Sequence, residues 1–518
     1  MYKVNKAVCL ILAFVFSLSL FAGCGTANKA ADASVPGPTA SVSSTEPESS
    51  KPALEPVELS WYVVGKPQKD TALVEDAVAD YLKDTLNCRV KINYFDWGAY
   101  QDKMNVMIAT GDTFDLCFTA NWMVNFIQNA GKGSWYDITT LVDQYAPKVK
   151  EKYAKYLDAC KVNGKLYGIP YNMSGFGAQG AAFVRRDLLD KYKVDIGSLK
   201  TYEDLEPFFD QVVANEKGVT PICMVDGTSG LFNYWFDQPD VSIPTLGVKY
   251  DDQTCTVVNC DDDPLSVKDR ELLRKWYLKG YIRKDAASIK DNNAEMKSKK
   301  YACTIGGYVP GWLENYEINW GLDCEAIVLG SKPLLNTTSI TQSCTAVSST
   351  SKNPERAVML LEQTNTDPKL LNLMGFGIED QHYVITDDSD PVIKIFKMPD
   401  GVTAETSGYK TNTEWMFGDP WMLMSDVPNR KELVEAQKKA TDNCVVSPIN
   451  GFTFDNAPVK TQVAQLTAIY NEYKNVWGMG SMDLAKFPEY QDRLEKAGLE
   501  DVQKEMQKQV DAWKANKK

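Results

Sequence analysis

The feature that most constrains the fold is an alternation of strand and helix patterns from residue 57 to residue 118. Apolar and polar side chains alternate in residues 57–64 and 89–95, which predicts two strands, and residues 114–118 are a continuously apolar third. Between them, residues 70–86 carry apolar side chains at helical spacing. A second helix is predicted from Asp96, as its cap, to Thr110, with Gly111 ending it. Strands that alternate with helices form a parallel sheet covered on both faces.

This arrangement indicates where a ligand binds, because ligands of open α/β sheets lie beyond the carboxyl ends of the strands. Two of these ends carry a tryptophan: Trp97 follows the second strand, and Asn121 and Trp122 follow the third. An aromatic face packs on a sugar ring, and an amide bonds its hydroxyls. The three residues are candidate ligand contacts. The alternative for Trp97 is packing on the core at the start of the helix.

The N-terminus has the pattern of an export signal. Lys3 and Lys6 precede the apolar residues 8–22, a stretch shorter than the ~20 residues that span a membrane. Gly23-Cys24 then resembles the end of a bacterial lipobox. We interpret residues 1–23 as a lipoprotein signal peptide and Cys24 as the lipidated residue, anchored on the outer face of the cell membrane. A plain signal peptide with a chance cysteine and an uncleaved anchor are the alternatives.

The segment after Cys24 is predicted to be a flexible stalk. Residues 25–56 are rich in Ser, Thr, Ala, Pro and Glu and contain no aromatic residue. Such a composition buries too little apolar surface to offset the entropy of ordering. Residues 24–56 therefore form the lipidated cysteine and stalk, and the globular part begins at residue 57.

Charge and residue counts exclude several classes of function. The formal net charge is −13, which argues against nucleic-acid binding and leaves the N-terminal lipid as the only membrane contact. A single histidine, His382, excludes His-based zinc sites, and no C-x-x-C motif occurs. No metal or cofactor is predicted. Ten cysteines remain after Cys9 and Cys24; several, such as Cys117, lie in apolar runs and read as small buried hydrophobes, while disulfides stay open.

Helix-start signals continue through the rest of the chain. Residues 201–204 resemble a capping box, Asn353-Pro354 places proline at a first helical position, and Pro458 begins another apolar-periodic helix. Residues from about 489 to 513 are charged and helical in pattern. No internal repeat is evident.

Several of these stretches together resemble the family 1 extracellular solute-binding proteins of ABC importers. They are residues 107–116 (MIATGDTFDL), 163–171 (NGKLYGIPY), 183–189 (FVRRDLL), 201–205 (TYEDL) and 353–357 (NPERA). The C-terminal part, residues 450–455 through 511–513, is similar to the LipO-like lipoproteins, a subgroup with an extended C-terminal region.

The resemblance implies a two-lobed α/β fold like that of periplasmic binding proteins. Each lobe is a mixed sheet flanked by helices, and hinge strands join the lobes. The expected division is residues 57–180 plus 306–362 in lobe 1 and residues 181–305 plus 363–518 in lobe 2. Ligand is expected between the lobes, trapped by hinge closure. Carried over to this chain, the resemblance assigns ligand contact to residues 119–122 and to Tyr171 and Asn172.

Further aromatic residues are candidates for the cleft by position. Tyr308 and Trp312 lie in the Gly-rich stretch 306–312, Trp235 lies in the aromatic cluster 233–237, and Trp415 lies near the turn at residues 418–420. Plain packing is the alternative for each of them. The Gly-rich stretch fits neither phosphate-binding motif.

The function that follows is non-catalytic. We expect a monomeric binding lipoprotein that captures a carbohydrate, an oligosaccharide rather than a single sugar, and delivers it to ABC permease subunits. The acidic chain disfavours anionic glycans unless Arg185, Arg186 or Lys66 supplies local charge. A surface glycosidase with paired carboxylates and a receptor for peptides or other solutes remain the alternatives.

Overall fold

The computed structural model describes residues 54–516 except 172–175, 225–230, 232, 290–292, 312, 314–320 and 404–405. The predicted signal peptide, Cys24 and residues 25–53 of the predicted stalk lie outside the described residues, as do Asn172 and Trp312. Among the helices of the described part, none combines the length and the apolar character that crossing a membrane requires.

The described part of the chain contains both strands and helices. The strands are β1 (Val57–Val64), β2 (Cys88–Phe95), β3 (Leu116–Thr119), β4 (Lys161–Val162), β5 (Lys165–Leu166), β6 (Gly168–Pro170), β7 (Gln179–Arg185), β8 (Thr220–Cys223), β9 (Phe236–Asp237), β10 (Leu246–Lys249), β11 (Val257–Asn259), β12 (Tyr301–Tyr308), β13 (Cys324–Val328), β14 (Leu334–Leu335), β15 (Cys344–Val347), β16 (Val384–Asp387), β17 (Ile395–Lys397) and β18 (Val445–Val446). The helices are α1 (Thr71–Leu82), α2 (Tyr100–Thr110), α3 (Phe126–Gly131), α4 (Thr139–Tyr145), α5 (Pro147–Lys152), α6 (Arg186–Tyr192), α7 (Glu206–Asn215), α8 (Pro264–Leu278), α9 (Asn293–Lys297), α10 (Thr337–Ile340), α11 (Pro354–Thr364), α12 (Pro368–Phe376), α13 (Arg430–Asp442), α14 (Lys460–Gly478), α15 (Phe487–Lys496) and α16 (Leu499–Asn516).

The first sheet has the strand order β2-β1-β3-β15-β6. β1 pairs parallel with both β2 and β3, as the strand–helix alternation predicts, while β15 pairs antiparallel with β3 and β6. Leu59, Trp61 and Val63 on β1 are fully buried. The sheet is therefore mixed, and its parallel half comes from the N-terminal βαβαβ segment.

The second sheet has the strand order β13-β7-β12-β8. β7 lies in the middle and pairs antiparallel with β12 and β13, and β12 pairs parallel with β8. Helices α6, α7 and α8 contribute to the core of this sheet, with Leu189, Phe209 and Trp276 fully or almost fully buried. We call the first sheet with its core the first lobe and the second sheet with its core the second lobe.

A third core, which we call the C-terminal unit, joins the sheet β11-β10-β9 to helices α14, α15 and α16. Val463 and Leu466 of α14 pack there with Tyr490 of α15 and Val502 of α16. The charged C-terminal stretch predicted as helical is thus two helices, each with one buried face.

The lobe boundaries expected from the sequence need two corrections. Residues 306–308 and 324–328 were assigned to the first lobe, but β12 pairs with β7 from Cys303 to Tyr308 and β13 pairs with the other edge of β7. Residues from 363 to about 424 were assigned to the second lobe, but Leu370, Met374 and Phe417 are buried in the first core. In both places pairing and burial with distant strands decide the position of the segment.

Several local predictions are confirmed. β1 has the predicted bounds, Gly111 ends α2 in the left-handed conformation, and Thr201 and Asp204 form the predicted capping box. Pro354 occupies the first turn of α11. Helix α2 begins at Tyr100 rather than directly after Asp96, because Asp96 first closes a turn in which its side chain accepts from the amide of Gly98.

Candidate functional site

Two tryptophans stack at the carboxyl end of the parallel strands. Trp97 follows β2 and Trp122 follows β3; their ring centroids lie 6.1 Å apart and their planes differ by 20°. Trp97 is 51% exposed and Trp122 is 52% exposed. Burial would favour such large rings by up to several kcal/mol, so a half-exposed pair is a surface suited to contact with a partner.

The stacked pair continues inward through two further rings. Phe118, buried on β3, lies 5.8 Å from Trp122 and 5.6 Å from Trp415, which meets it edge-on at 90°. We call Trp97, Trp122, Phe118 and Trp415 the aromatic platform. It brings together three of the tryptophans predicted from the sequence.

The loop that presents Trp122 is held by hydrogen bonds to the segment between β14 and β15. The indole Nε1 of Trp122 donates to the carbonyl of Gln342 at 2.8 Å, and Asn121 Nδ2 donates to the carbonyl of Thr338 at 2.8 Å. The amide of Asn121 also donates to the carbonyl of Thr341 at 2.9 Å. Asn121 thus orients the loop through both its backbone N–H and its side-chain Nδ2.

The loop ends in a strained residue. Val124 has φ of +47°, a conformation that a β-branched side chain adopts at a cost of about 1–3 kcal/mol. Its amide donates to Gln101 Oε1 at 2.6 Å, and its carbonyl accepts from Thr119 Oγ1 at 2.7 Å. These bonds from both sides fix the strained turn, so Trp122 is presented by a preorganised loop.

One predicted contact is corrected. Tyr171 is only 1% exposed, and its hydroxyl donates to the carbonyl of Cys344 at 3.4 Å inside the first lobe. Burial raises the pKa of Tyr171 well above its ordinary value. The side chain belongs to the core because β6, which precedes it, pairs with the interior strand β15.

Tyr308 and Trp235 are the remaining described candidates. Tyr308 ends β12, and its ring meets Phe183 edge-on at 6.2 Å. Trp235 is partly buried, donates from Nε1 to Asp269 Oδ2 at 3.3 Å and lies 6.3 Å from the ring of Tyr250. Neither residue has a ring contact with the platform among the described contacts.

Sequence reasoning missed the residues that support the platform. Phe118 belonged to a predicted strand, but its contact with Trp415 crosses about 300 positions of the chain. Gln101 and Gln342 carry no local signal, because each acts through a single bond to the strand-end loop. Only the pattern of strand ends could have pointed to this region.

Charges near the second lobe are already paired. Arg185 contacts Asp187 at 2.7 Å, and Arg186 contacts Asp323 at 2.9 Å and Glu325 at 2.7 Å.

Cys117, one of the cysteines interpreted as buried hydrophobes, is fully buried, and burial raises the pKa of its thiol. Within the described ranges no three His, Cys, Asp or Glu side chains are grouped to hold a metal ion.

The sequence profile of the family described as bacterial extracellular solute-binding proteins matches residues 76–386, more than half of the chain. The protein belongs to this family. A second profile, for a domain of unknown function, matches residues 448–515 of the solute-binding protein, which covers the helices of the C-terminal unit.

A relative named carbohydrate ABC transporter substrate-binding protein, from Streptococcus pneumoniae serotype 4, is 27% identical over 477 residues. The match covers 90% of this solute-binding protein and 92% of the relative. The two chains are therefore similar along almost their whole length.

Solved structures share the two-lobed fold. The N-glycan transport solute binding protein of S. pneumoniae has a TM-score of 0.76 at 24% identity, covering 90% of this chain and 100% of that one. Its complex with Man1GlcNAc has a TM-score of 0.66 at 24% identity, covering 88% and 99%. A solute binding protein of Bifidobacterium longum infantis described as binding HMO has a TM-score of 0.61 at 15% identity, covering 89% and 99%.

Proposed function

We propose that this solute-binding protein captures an oligosaccharide outside the cell and delivers it to an ABC permease. The observation that carries the proposal is the aromatic platform: two stacked, half-exposed tryptophans at the carboxyl end of a parallel sheet. Aromatic faces pack against the C–H faces of sugar rings, and several adjoining rings can serve several sugar units.

The names of similar proteins point the same way. The S. pneumoniae relative is named for carbohydrate transport, and the similar structures include complexes with Man1GlcNAc and Man5GlcNAc. We infer a neutral glycan for this chain, because the guanidinium groups of Arg185 and Arg186 are engaged by acidic partners. The platform itself contributes no charged side chain.

Delivery of a ligand to a permease requires that the protein be held at the membrane, close to that permease. We infer that Cys24 carries a lipid and that residues 25–56 tether a monomeric binder near its permease on the outer face of the membrane. Closure of the two lobes over the glycan would present the loaded form to the permease. The remaining contacts on the ligand are proposed to include Asn121, Trp235, Tyr308, Trp312, Trp415 and Asn172.

A thermal-shift screen tests the proposal. Neutral oligosaccharides, matched monosaccharides and short peptides are added to the purified protein, and Tm is recorded for each. A ligand at 100 times its Kd adds about 2.7 kcal/mol of stability, which raises Tm by several degrees. Stabilisation by peptides and by no glycan would contradict the sugar assignment, and release of reducing ends from a bound glycan would contradict a binding-only role.

A further inference from the structure

A cavity of about 230 Å³ lies where the second lobe meets the C-terminal unit. Asp269 and Arg270 on α8 and Trp235 before β9 form one side, and Tyr470 and Trp477 on α14 form the other. The two helices are joined nearby, since Arg274 Nη1 donates to the carbonyls of Gly480 and Ser481 at 3.2 and 3.1 Å. The cavity is therefore built by both parts of the chain.

Trp477, which lines the cavity, carries a hydrogen-bond donor without a partner. Nε1 of Trp477 is buried and makes no hydrogen bond to any residue that the structure describes. Leaving a buried N–H unpaired costs about 1–3 kcal/mol, which a ligand oxygen would recover. The indole N–H of Trp477 thus lacks an acceptor among the described residues.

Asp269, a hydrogen-bond acceptor, lines the same cavity. Asp269 Oδ2 accepts from Asn233 Nδ2 at 2.9 Å and from Trp235 Nε1 at 3.3 Å, which fixes the carboxyl group. Oδ1 of Asp269 accepts no hydrogen bond from the described residues. Arg270 is 7% exposed and is held by the carbonyl of Asp261 at 2.7 Å and by the ring of Phe487 at 3.9 Å.

Size and lining select the ligand class. The cavity is far larger than the ~30 Å³ share of one water and smaller than the roughly 300–1,000 Å³ of drug-sized sites. Tyr470 and Trp477, whose centroids lie 6.3 Å apart at 61°, offer an angled aromatic wall. The unpaired N–H of Trp477 and the guanidinium of Arg270 disfavour binding of a cation. The carboxyl groups of Asp261 and Asp269 disfavour binding of an anion. A neutral ring with several hydroxyl groups satisfies both.

We propose that this cavity binds one neutral pyranose ring, at residues distinct from the aromatic platform, with Trp477 donating to and Asp269 accepting from its hydroxyl groups. The inference rests on the proposed carbohydrate function and gives the C-terminal unit, whose helices match a profile of unknown function, a direct part in sugar binding.

Fluorine NMR of the intact protein tests the proposal. The twelve tryptophans are replaced by 5-fluorotryptophan, and the Trp477 resonance is assigned by its loss in Trp477→Phe. Methyl mannopyranoside and the methyl glycoside of N-acetylglucosamine are the probes. We expect at least one of them to shift the Trp477 resonance saturably, and the shift to persist in Trp122→Ala, where the platform is disabled.

Two variants separate a binding role from a structural one. Asp269→Asn keeps the shape of the side chain and should weaken the titration about 5–10-fold, the effect of one hydrogen bond. Trp477→Phe lacks the Trp477 resonance, so its titration is followed at the Trp235 resonance. The probe should bind this variant more weakly by a similar factor. Trp513→Phe changes a tryptophan of the same unit that packs on Phe452 and does not line the cavity, and it should titrate like the parent protein.

The possible failures are distinct. If oligosaccharides shift the resonances of Trp97 and Trp122 while no probe moves that of Trp477, the cavity proposal is overturned and the proposed function stands. If no mono- or oligosaccharide moves any tryptophan resonance, the proposed function fails and this inference fails with it.

Discussion

At the scale of single residues, Trp122 is the side chain on which ligand binding should depend most. Its ring stacks on Trp97 and rests on Phe118, while half of its surface stays exposed. Trp122→Ala should weaken glycan binding about 10–100-fold, since truncating an aromatic anchor costs roughly 2 kcal/mol or more. Calorimetric titration with the best glycan of the thermal screen measures this change.

The same variant should remain folded, because the side chain is half exposed and contributes little to the core. Its unfolding midpoint without ligand should fall by no more than a few degrees. Trp122→Phe is the matched control, since it keeps an aromatic face and should retain much of the affinity. An unchanged affinity in Trp122→Ala would remove the strand-end loop from the site.

Asp237 is a buried carboxyl whose titration should affect stability. It is 3% exposed and accepts from Ser447 Oγ at 2.5 Å and from Asn336 Nδ2 at 2.9 Å. Burial raises its pKa to about 6, above the ~3.9 of an unfolded chain. The proton is bound more tightly in the folded state, so this stabilisation is complete below about pH 4 and is lost as pH rises through 6.

Replacing the carboxyl isolates its contribution. The unfolding free energy of Asp237→Asn, relative to the parent, should rise between pH 4 and pH 7 by on the order of 2–3 kcal/mol. Denaturant titrations at pH 4, 5, 6 and 7 measure the difference. Asp400→Asn is the control, at an exposed carboxyl whose pKa is lowered by Lys397. Its unfolding free energy relative to the parent should fall slightly between pH 4 and pH 7, which is the opposite trend. Parallel pH curves for Asp237→Asn and the parent would contradict the prediction.

At the scale of elements, two glycines separate helix capping from helix propensity. Gly111 ends α2 at φ +73°, whereas Gly131, the last residue of α3, has ordinary helical φ; an added Cβ meets no atom within 4 Å at either position. Gly111→Ala should cost about 1–2 kcal/mol, because L-residues resist the left-handed conformation. Gly131→Ala should be neutral or stabilising by up to about 1 kcal/mol. Chemical denaturation compares them, and equal effects would refute the capping argument.

Elements with a local cause were predictable from the sequence. The period-2 pattern of β1, the glycine after α2 and the capping box at Thr201 depend on neighbours within a few residues. Segments whose position depends on distant partners were not. Leu370, Met374 and Phe417 are fixed by burial in the first core, and the direction of the Tyr171 side chain is set by the pairing of β6 with β15.

The candidate site divides in the same way. The strand ends located Trp97 and Trp122, because the carboxyl ends of parallel strands share one edge of a sheet. The positive φ of Val124 and its support by Gln101 could not be predicted, since valine seldom adopts that conformation and the bond spans 23 positions.

At the scale of the whole molecule, hydrogen bonds connect the platform to the C-terminal unit. The loop carrying Trp122 is bonded to Thr338 and Gln342, which lie between β14 and β15. The same segment begins at Asn336, which caps α10 and donates to Asp237 on β9. A rotation of the first lobe against the C-terminal unit must therefore move this connecting segment or strain its bonds.

Closure of the lobes should be visible in solution. A compact chain of this size has a radius of gyration of about 23 Å. Small-angle scattering at saturating glycan should show a decrease on the order of 1 Å, because hinge closure brings the lobes together. Trp122→Ala at about ten times the parent's Kd, where a 10–100-fold weaker affinity leaves it half occupied or less, should show a correspondingly smaller decrease than the parent at that concentration. Calorimetry verifies that the parent protein is saturated. If its radius of gyration is then unchanged, the glycan binds to lobes that are already closed or do not close. Trapping of the ligand by hinge closure would then be contradicted.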